Sequence, residues 1–493
     1  VNWLAVKVIA DGETLDLAKC KIEDYRRSLD LKTGLLKREF IWVTGKNVRI
    51  RLRFERLLAM EHTTEAVQKI TAESVDFDGE LQIDLESDFG MIHQMHQKNY
   101  WDVQEKKAES TYTYIAAKTI HTDIYLFSGS VVCGESNGKV LEAAGYVEEK
   151  KAEVTYQVSL KPGKQAVFIK KTWNGMEDMP DWREQLSHVS YESILAENEE
   201  WWSEVWKKSD IEIYGDEENQ QGIRYCIFQM MQTYHGAKAG NNIGAKGLTG
   251  EAYNGNAFWD TETYCLPFFI FNNQEAARNL LYFRYKTLDE ARKRAEVLDC
   301  KGAFYPIATI SGRECCNLWQ HASLQLQAST AVAYGVWFYE KMFDDKDFLK
   351  KYGLEMLIEI SRMLATRGDF NREGKYGYYC VMGPDEFQMM VHNNSYTNYM
   401  AKFTLEYTLD KINEIKSEDP DAYKKVAEKV AFDESEMDTW KNIKDNMILL
   451  YDDKTKLFEQ HDGFFKLPHL DVDSIPISDF PLYDNWSYDR IYR

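Results

Sequence analysis

Apolar and polar residues alternate with a period of two through the first third of the chain, then recur with a helical period near 3.6. Strand patterns run at Leu4 to Ile9, Val48 to Phe54, Leu81 to Leu85, Tyr112 to Ala117 and Val154 to Leu160. Turn signals such as Asp11-Gly12, Asp78-Gly79 and Pro162-Gly163 separate them. Many strands with few helical gaps predict an antiparallel β-sandwich over residues 1–175. Arg51, Arg53 and Arg56 sit at mostly strand spacing and are expected on its solvated face.

The period turns helical between Trp182 and Lys208, where Trp201, Trp202 and Trp206 mark an amphipathic linker assigned to residues 176–215. Over residues 216–493 helices dominate: Gly222 to His235, Glu275 to Leu298, Ser323 to Phe343, Phe348 to Arg367, Tyr396 to Ile415 and Met437 to Tyr451. Helices in series, joined by long loops rich in Gly, Asn and aromatics, predict an (α/α)6 toroid whose loops converge on a central pocket. The fold class is thus multidomain, β then all-α. The chain lacks an initiator Met and stops at Asp489-Arg490-Ile491-Tyr492-Arg493. Both ends are expected to be cut and the toroid to be incomplete at its C-terminal side.

Composition narrows the function. Hydrophobic residues make up 44% of 493, enough for sizeable cores, and aromatics reach 14%, which suits stacking on sugar rings. The net charge of −20, with no basic patch, argues against nucleic acid and anionic membranes as partners. Neither a signal peptide nor an apolar run of transmembrane length occurs. Eight scattered cysteines without a C-x-x-C pair predict reduced, buried thiols in the cytoplasm.

Three polar-aromatic loops could carry chemistry. The first runs from Gly244 through Thr249 and Gly250 to Asn254-Gly255-Asn256-Ala257-Phe258-Trp259-Asp260-Thr261-Glu262. Phe258 and Trp259 offer ring faces, and the Asp260 carboxylate can hold two sugar hydroxyls or cap the following helix. The second comprises Gly302-Ala303-Phe304-Tyr305-Pro306 and Ser311-Gly312-Arg313-Glu314-Cys315-Cys316, where Arg313-Glu314 suits a structural ion pair. The third, Val381-Met382-Gly383-Pro384-Asp385-Glu386-Phe387 to Asn393-Asn394-Ser395-Tyr396-Thr397-Asn398, puts two acids on a turn behind an aromatic run. Apolar surroundings would suit one of them to general acid catalysis, whereas turn or cap duty is the commoner use of such residues. His321 and His392 stand alone, so no metal site is expected, and no phosphate loop or nucleophile elbow is present.

These strings together resemble glycoside hydrolase family 65, which contains inverting α-glucoside phosphorylases for maltose, trehalose, kojibiose and nigerose. The resemblance runs from about Trp3 to the C-terminus. It implies a β-sandwich, a helical linker, an (α/α)6 barrel and a small C-terminal β-domain that would lie beyond Arg493. It makes Glu386 the general acid, with Phe258, Trp259, Asp260, Arg313 and Glu314 around the substrate. Inorganic phosphate is then co-substrate and nucleophile, giving β-glucose 1-phosphate and a free acceptor without a cofactor, in an enzyme expected to be a homodimer. An inverting hydrolase needs a second carboxylate to activate water; phosphate arrives already nucleophilic. Asp385 is expected to orient Glu386. The chain departs from the family at Leu324-Gln325-Leu326-Gln327, where Glu-x-His is common, and at Phe387-Gln388-Met389, where Tyr-His-Glu is common. Both departures lie on the acceptor side and point to a less usual acceptor. The family's phosphate-binding segments would follow Arg493. An α-glucoside hydrolase and a non-catalytic sugar-binding toroid remain the alternatives.

Overall fold

The computed structural model describes residues 1–177, 180–236, 238–248, 250 and 252–491. Thr249 of the first loop, and Tyr492 and Arg493, lie outside the described residues. The chain forms two compact units, Val1–Gln232 and Thr233–Arg493.

The first unit is an antiparallel β-domain. Its strands are β1 (Val6–Ala10), β2 (Glu13–Thr14), β3 (Lys21–Asp30), β4 (Leu35–Val43), β5 (Arg49–Leu58), β6 (Glu65–Ser74) and β7 (Gly79–Asp88). They continue as β8 (Trp101–Glu109), β9 (Tyr112–Thr119), β10 (Tyr125–Ser136), β11 (Lys139–Val140), β12 (Ala143–Val147), β13 (Lys151–Leu160) and β14 (Gln165–Gly175). One sheet has the order β12-β13-β7-β1-β2; the other has β3-β4-β5-β6-β14-β10-β9-β8, with β11 on β10. Alternate residues of both, including Val8, Ile83 and Val154 from one and Phe40, Trp42, Leu52 and Ile70 from the other, meet in a shared core. Side-chain alternation along a strand explains why these positions are apolar and their neighbours are not.

The same alternation splits the arginines of β5. Arg51 and Arg53 face outward against Glu39 and Glu73. Arg56 has the opposite parity, with Phe54, in an unbroken register; it is exposed as expected, but on the other face from Arg51 and Arg53. Lys170 of β14 crosses between the sheets: its ammonium is fully buried and donates to the Trp3 and Glu86 carbonyls at 2.7 and 2.5 Å and to Ser87 at 3.4 Å. Helices α1 (Trp182–His188) and α2 (Tyr191–Ser209) follow, with Ser190 closing a capping box on α2. Trp202 stacks on Phe228 of α3 (Glu217–Thr233) at 4.3 Å.

The second unit is helical: α4 (Leu266–Asn272), α5 (Gln274–Lys286), α6 (Leu288–Val297), α7 (Trp319–Leu324), α8 (Gln327–Phe343), α9 (Lys346–Phe348), α10 (Leu354–Arg367), α11 (Ser395–Glu418), α12 (Pro420–Lys429) and α13 (Ser435–Asp445). Buried α11 packs against α8, α10, α12 and α13, and α5 against α4 and α8. Two expected helices are broken. Thr287 interrupts the first, its hydroxyl donating to the Phe283 and Arg284 carbonyls in competition with the backbone ladder. Extended Gln325 interrupts the second. The eight cysteines are free, but only Cys300 is buried; Cys133, Cys226, Cys315 and Cys380 are exposed, which corrects the expectation of buried thiols. Among the described residues no helix is long and apolar enough to cross a membrane.

Candidate functional site

Backbone hydrogen bonds bring the three loops of the helical unit together. Ala257 of the first and Thr309 of the second exchange both amide–carbonyl bonds, at 2.8 and 2.9 Å. The first meets the third where the Trp259 ring packs edge-on to Tyr396, with centroids 5.9 Å apart. The second meets the third through α7 and the residue after it, at Glu386.

The third loop has a fastened neck. Val381 and Val391 exchange hydrogen bonds at 2.9 and 3.0 Å, and each follows a residue with positive φ, Cys380 and Met390. Such backbone is costly outside glycine and marks a shape imposed by its surroundings. Met382 N–H bonds to the Leu324 carbonyl, tying the neck to the end of α7. Gly383 is needed for space rather than for its φ: a Cβ there would collide with the Asn394 side chain. That side chain caps α11, accepting from Thr397 N–H, so neither acid serves as the cap. Asp385 takes turn duty instead, accepting from Phe387 N–H at 3.0 Å and from Gln460 at 2.7 Å. It shares no hydrogen-bond partner with Glu386 among the described residues.

Glu386 is held on one oxygen. Its Oε1 lies 2.9 Å from Gln325 Nε2 and 3.1 Å from His321 Nδ1. Its Oε2 makes no hydrogen bond among the described residues, and the side chain is 55% accessible. The apolar, aromatic-lined setting expected for this acid is therefore corrected, and Phe387, Met389 and Met390 beside it are exposed as well. Gln325 itself is 1% exposed, with its Oε1 buried and unpartnered, as is the Oε1 of Gln327. Gln325 reaches the acid because the chain is extended between α7 and α8; a continuous helix would turn it elsewhere.

Around the first loop the fixing element is a buried ion pair. Arg284 of α5 donates to both oxygens of Glu262, at 2.7 and 2.9 Å, with both side chains at 0–1% exposure. The same guanidinium donates to the Phe258 carbonyl at 3.3 Å, which sets the backbone of Phe258-Trp259-Asp260. Phe258 packs edge-on to Tyr253. Asp260 is exposed and forms no side-chain cap bond with the helix that follows. Its carboxylate raises the Cys265 thiol, after burial and Glu262, to about 12.

Arg313 and Glu314 do not pair with each other. Arg313 is exposed and bonds to Glu290 at 3.2 Å. Glu314 accepts from the Ile307, Ala308 and Cys316 amides, which clamps the second loop and uses both its oxygens. Sequence reasoning missed His321, whose partner lies 65 residues away, and Arg284, which sits in an ordinary helical stripe. His461 was missed too: it bonds to Gln388 at 3.1 Å and braces the third loop from the segment after α13.

Comparison with known proteins matches residues 1–205 to the glycosyl hydrolase family 65 N-terminal domain and residues 224–493 to that family's central catalytic domain. The maltose phosphorylase of Bacillus subtilis (strain 168) is 33% identical, over 100% of this chain and 66% of its own. The α,α-trehalose phosphorylase of Thermoanaerobacter brockii is 32% identical, over 99% of this chain and 66% of its own. A solved structure described as "Putative kojibiose phosphorylase from human microbiome" is 40% identical, with a TM-score of 0.92, and covers 100% of this chain and 66% of that one. The chain thus spans about two thirds of the length of these relatives.

Proposed function

Because the chain belongs to glycosyl hydrolase family 65, we propose that it performs the phosphorolysis of an α-glucoside with inversion, with Glu386 as general acid. The observation that carries this reading is the one-sided grip on Glu386: Gln325 and His321 hold Oε1, and Oε2 makes no hydrogen bond among the described residues. In the reaction the Glu386 carboxyl gives its proton to the glycosidic oxygen as the bond to the anomeric carbon breaks. Phosphate attacks that carbon from the opposite face, giving β-glucose 1-phosphate and the free acceptor. No second carboxylate is required, which agrees with Asp385 being committed to Phe387 and Gln460.

Asp260 binds two glucose hydroxyls with its exposed carboxylate, while Phe258 and Trp259 flank the ring. Arg313 and Glu314 serve the substrate by holding the second loop. The acceptor meets Gln327, Phe387 and Gln388. The side-chain carbonyl oxygen of Gln327 has no hydrogen-bond partner among the described residues, which supports this reading. The helical unit belongs to an (α/α)6 toroid, supported by the in-series packing of α5, α8, α10 and α11. The division at residues 1–175, 176–215 and 216–493 belongs to the same reading, as do a homodimer and a cytoplasmic location, the latter supported by eight free thiols.

The test is a panel of α-glucobioses incubated with the protein at its natural length, with and without phosphate. Glucose 1-phosphate forming only with phosphate supports the proposal. Glucose released at the same rate without phosphate makes the protein a hydrolase; sugar bound with neither product makes it a binding protein.

A further inference from the structure

A cavity of about 320 Å³ opens in the β-domain, lined by Leu4, Val6, Val8, Leu15, Leu17 and Leu36 on its apolar side and by Phe54 and Gln68. That volume is at the low end of the roughly 300–1,000 Å³ typical of small-molecule sites. Three arginines complete the lining: Arg27 of β3, Arg38 of β4 and Arg56 of β5. Register puts them on one face. Arg27 is directly opposite Arg38, Arg38 is opposite Phe54, and Arg56 is two residues beyond Phe54.

Three guanidiniums on one face repel each other and are normally matched by carboxylates. Here they are not. The outward-facing arginines of β5 are paired with Glu39 and Glu73, whereas Arg38 is 4.7 Å from the centre of the Phe54 ring and its Nε is buried without a partner. Burial and the neighbouring Arg27 hold Arg38 below the ordinary arginine value, and burial with Arg27 and Arg38 does the same to Arg56. Glu55, the acid among the described lining residues, has the opposite strand parity and accepts from Tyr191. Gln68, 5% exposed, also leaves its Oε1 unpartnered. The nearby Lys170, opposite Gln68 in the register, has its ammonium committed to two carbonyls and a hydroxyl. A face that keeps three forked donors and no counter-ion is built for an oxyanion, since guanidinium matches phosphate two bonds at a time.

We infer that this cavity binds a phosphate group, with Arg27, Arg38 and Arg56 as its ligands, at a site of the β-domain separate from Glu386. The chemistry is shared by inorganic phosphate and by a phosphate monoester whose organic part rests on the apolar wall.

Titration calorimetry on the whole protein at fixed ionic strength, with chloride as control, reads this directly. Inorganic phosphate and glucose 6-phosphate are the two probes. Both should bind, and the Arg38→Met and Arg56→Met variants should weaken binding at least tenfold. Arg27→Gln, at the exposed rim where the core is not disturbed, should weaken it several-fold. Equal affinities for the two probes assign the site to the phosphate group alone; tenfold tighter glucose 6-phosphate assigns it to a monoester. Sugar turnover at saturating phosphate should stay at the wild-type rate in all three variants. Phosphate binding that is unchanged in these variants, or a response that chloride reproduces, overturns the inference.

Discussion

Gln325 donates a 2.9 Å hydrogen bond to Glu386 from the single extended stretch between two helices. An amide there orients the carboxyl without adding charge. Replacing Gln325 by Leu removes that donor and leaves His321 as the only grip. A catalytic group misplaced by about 1 Å can cost on the order of 100-fold in rate. The expected outcome is a fall in kcat of about 10- to 100-fold with KM changed less than threefold, measured by glucose 1-phosphate release. An equal fall in kcat and rise in KM would move Gln325 from positioning to substrate binding.

Glu386→Gln keeps the shape of the side chain and removes its proton. Turnover should drop by roughly 10²–10⁴-fold, the usual worth of a general acid, while calorimetry shows sugar still bound. Turnover at the wild-type level would assign the acid elsewhere.

The Arg284–Glu262 pair is buried on both sides and also carries the Phe258 carbonyl. Breaking one partner strands a buried charge, at about 3–5 kcal/mol. Arg284→Met should therefore lower the urea midpoint of the helical unit markedly. The double variant Arg284→Met, Glu262→Leu should recover part of that loss, because no charge is left alone.

Lys170 gives a pH dependence with a defined sign. Burial lowers its ammonium from 10.5 to about 7 in the folded domain. Between those values the unfolded chain binds the extra proton, so this group makes folding more favourable as pH rises from about 7 towards 10.5. Below about 7 both states are protonated and its effect is level. Denaturant midpoints of the wild type should gain on those of Lys170→Met as pH is raised from 7 to 9.5. A constant difference between the two would mean that the ammonium stays charged on its three acceptors.

Much of the architecture was legible because period follows exposure. Strands with one buried face, such as β5 and β13, alternate visibly. Strands β3 and β8 did not show, since they lie at the two edges of their sheet and are polar on both faces. Strands β4, β6, β10 and β14 were not picked out either, although each has buried positions. The Glu386 loop stood out through Gly383-Pro384 and its paired acids. The Gln325 break did not, because Leu324-Gln325-Leu326-Gln327 continues a helical stripe and its extended backbone depends on a loop more than fifty residues later. His321 was illegible for the same reason: its meaning comes from a partner distant in sequence. Arg56 is exposed as expected, but odd and even positions of one strand had been taken together, and it lies on the face opposite to Arg51 and Arg53.

The Val381–Val391 clasp separates what must stay from what can change. With both ends of the loop locked to each other, residues 384–390 form a tip on a fixed collar. Of the side chains flanking the acid, Met389 and Met390 are exposed and can be rewritten without unsettling the helices below. A scaffold so arranged can diversify its choice of leaving partner by drift at a handful of exposed positions.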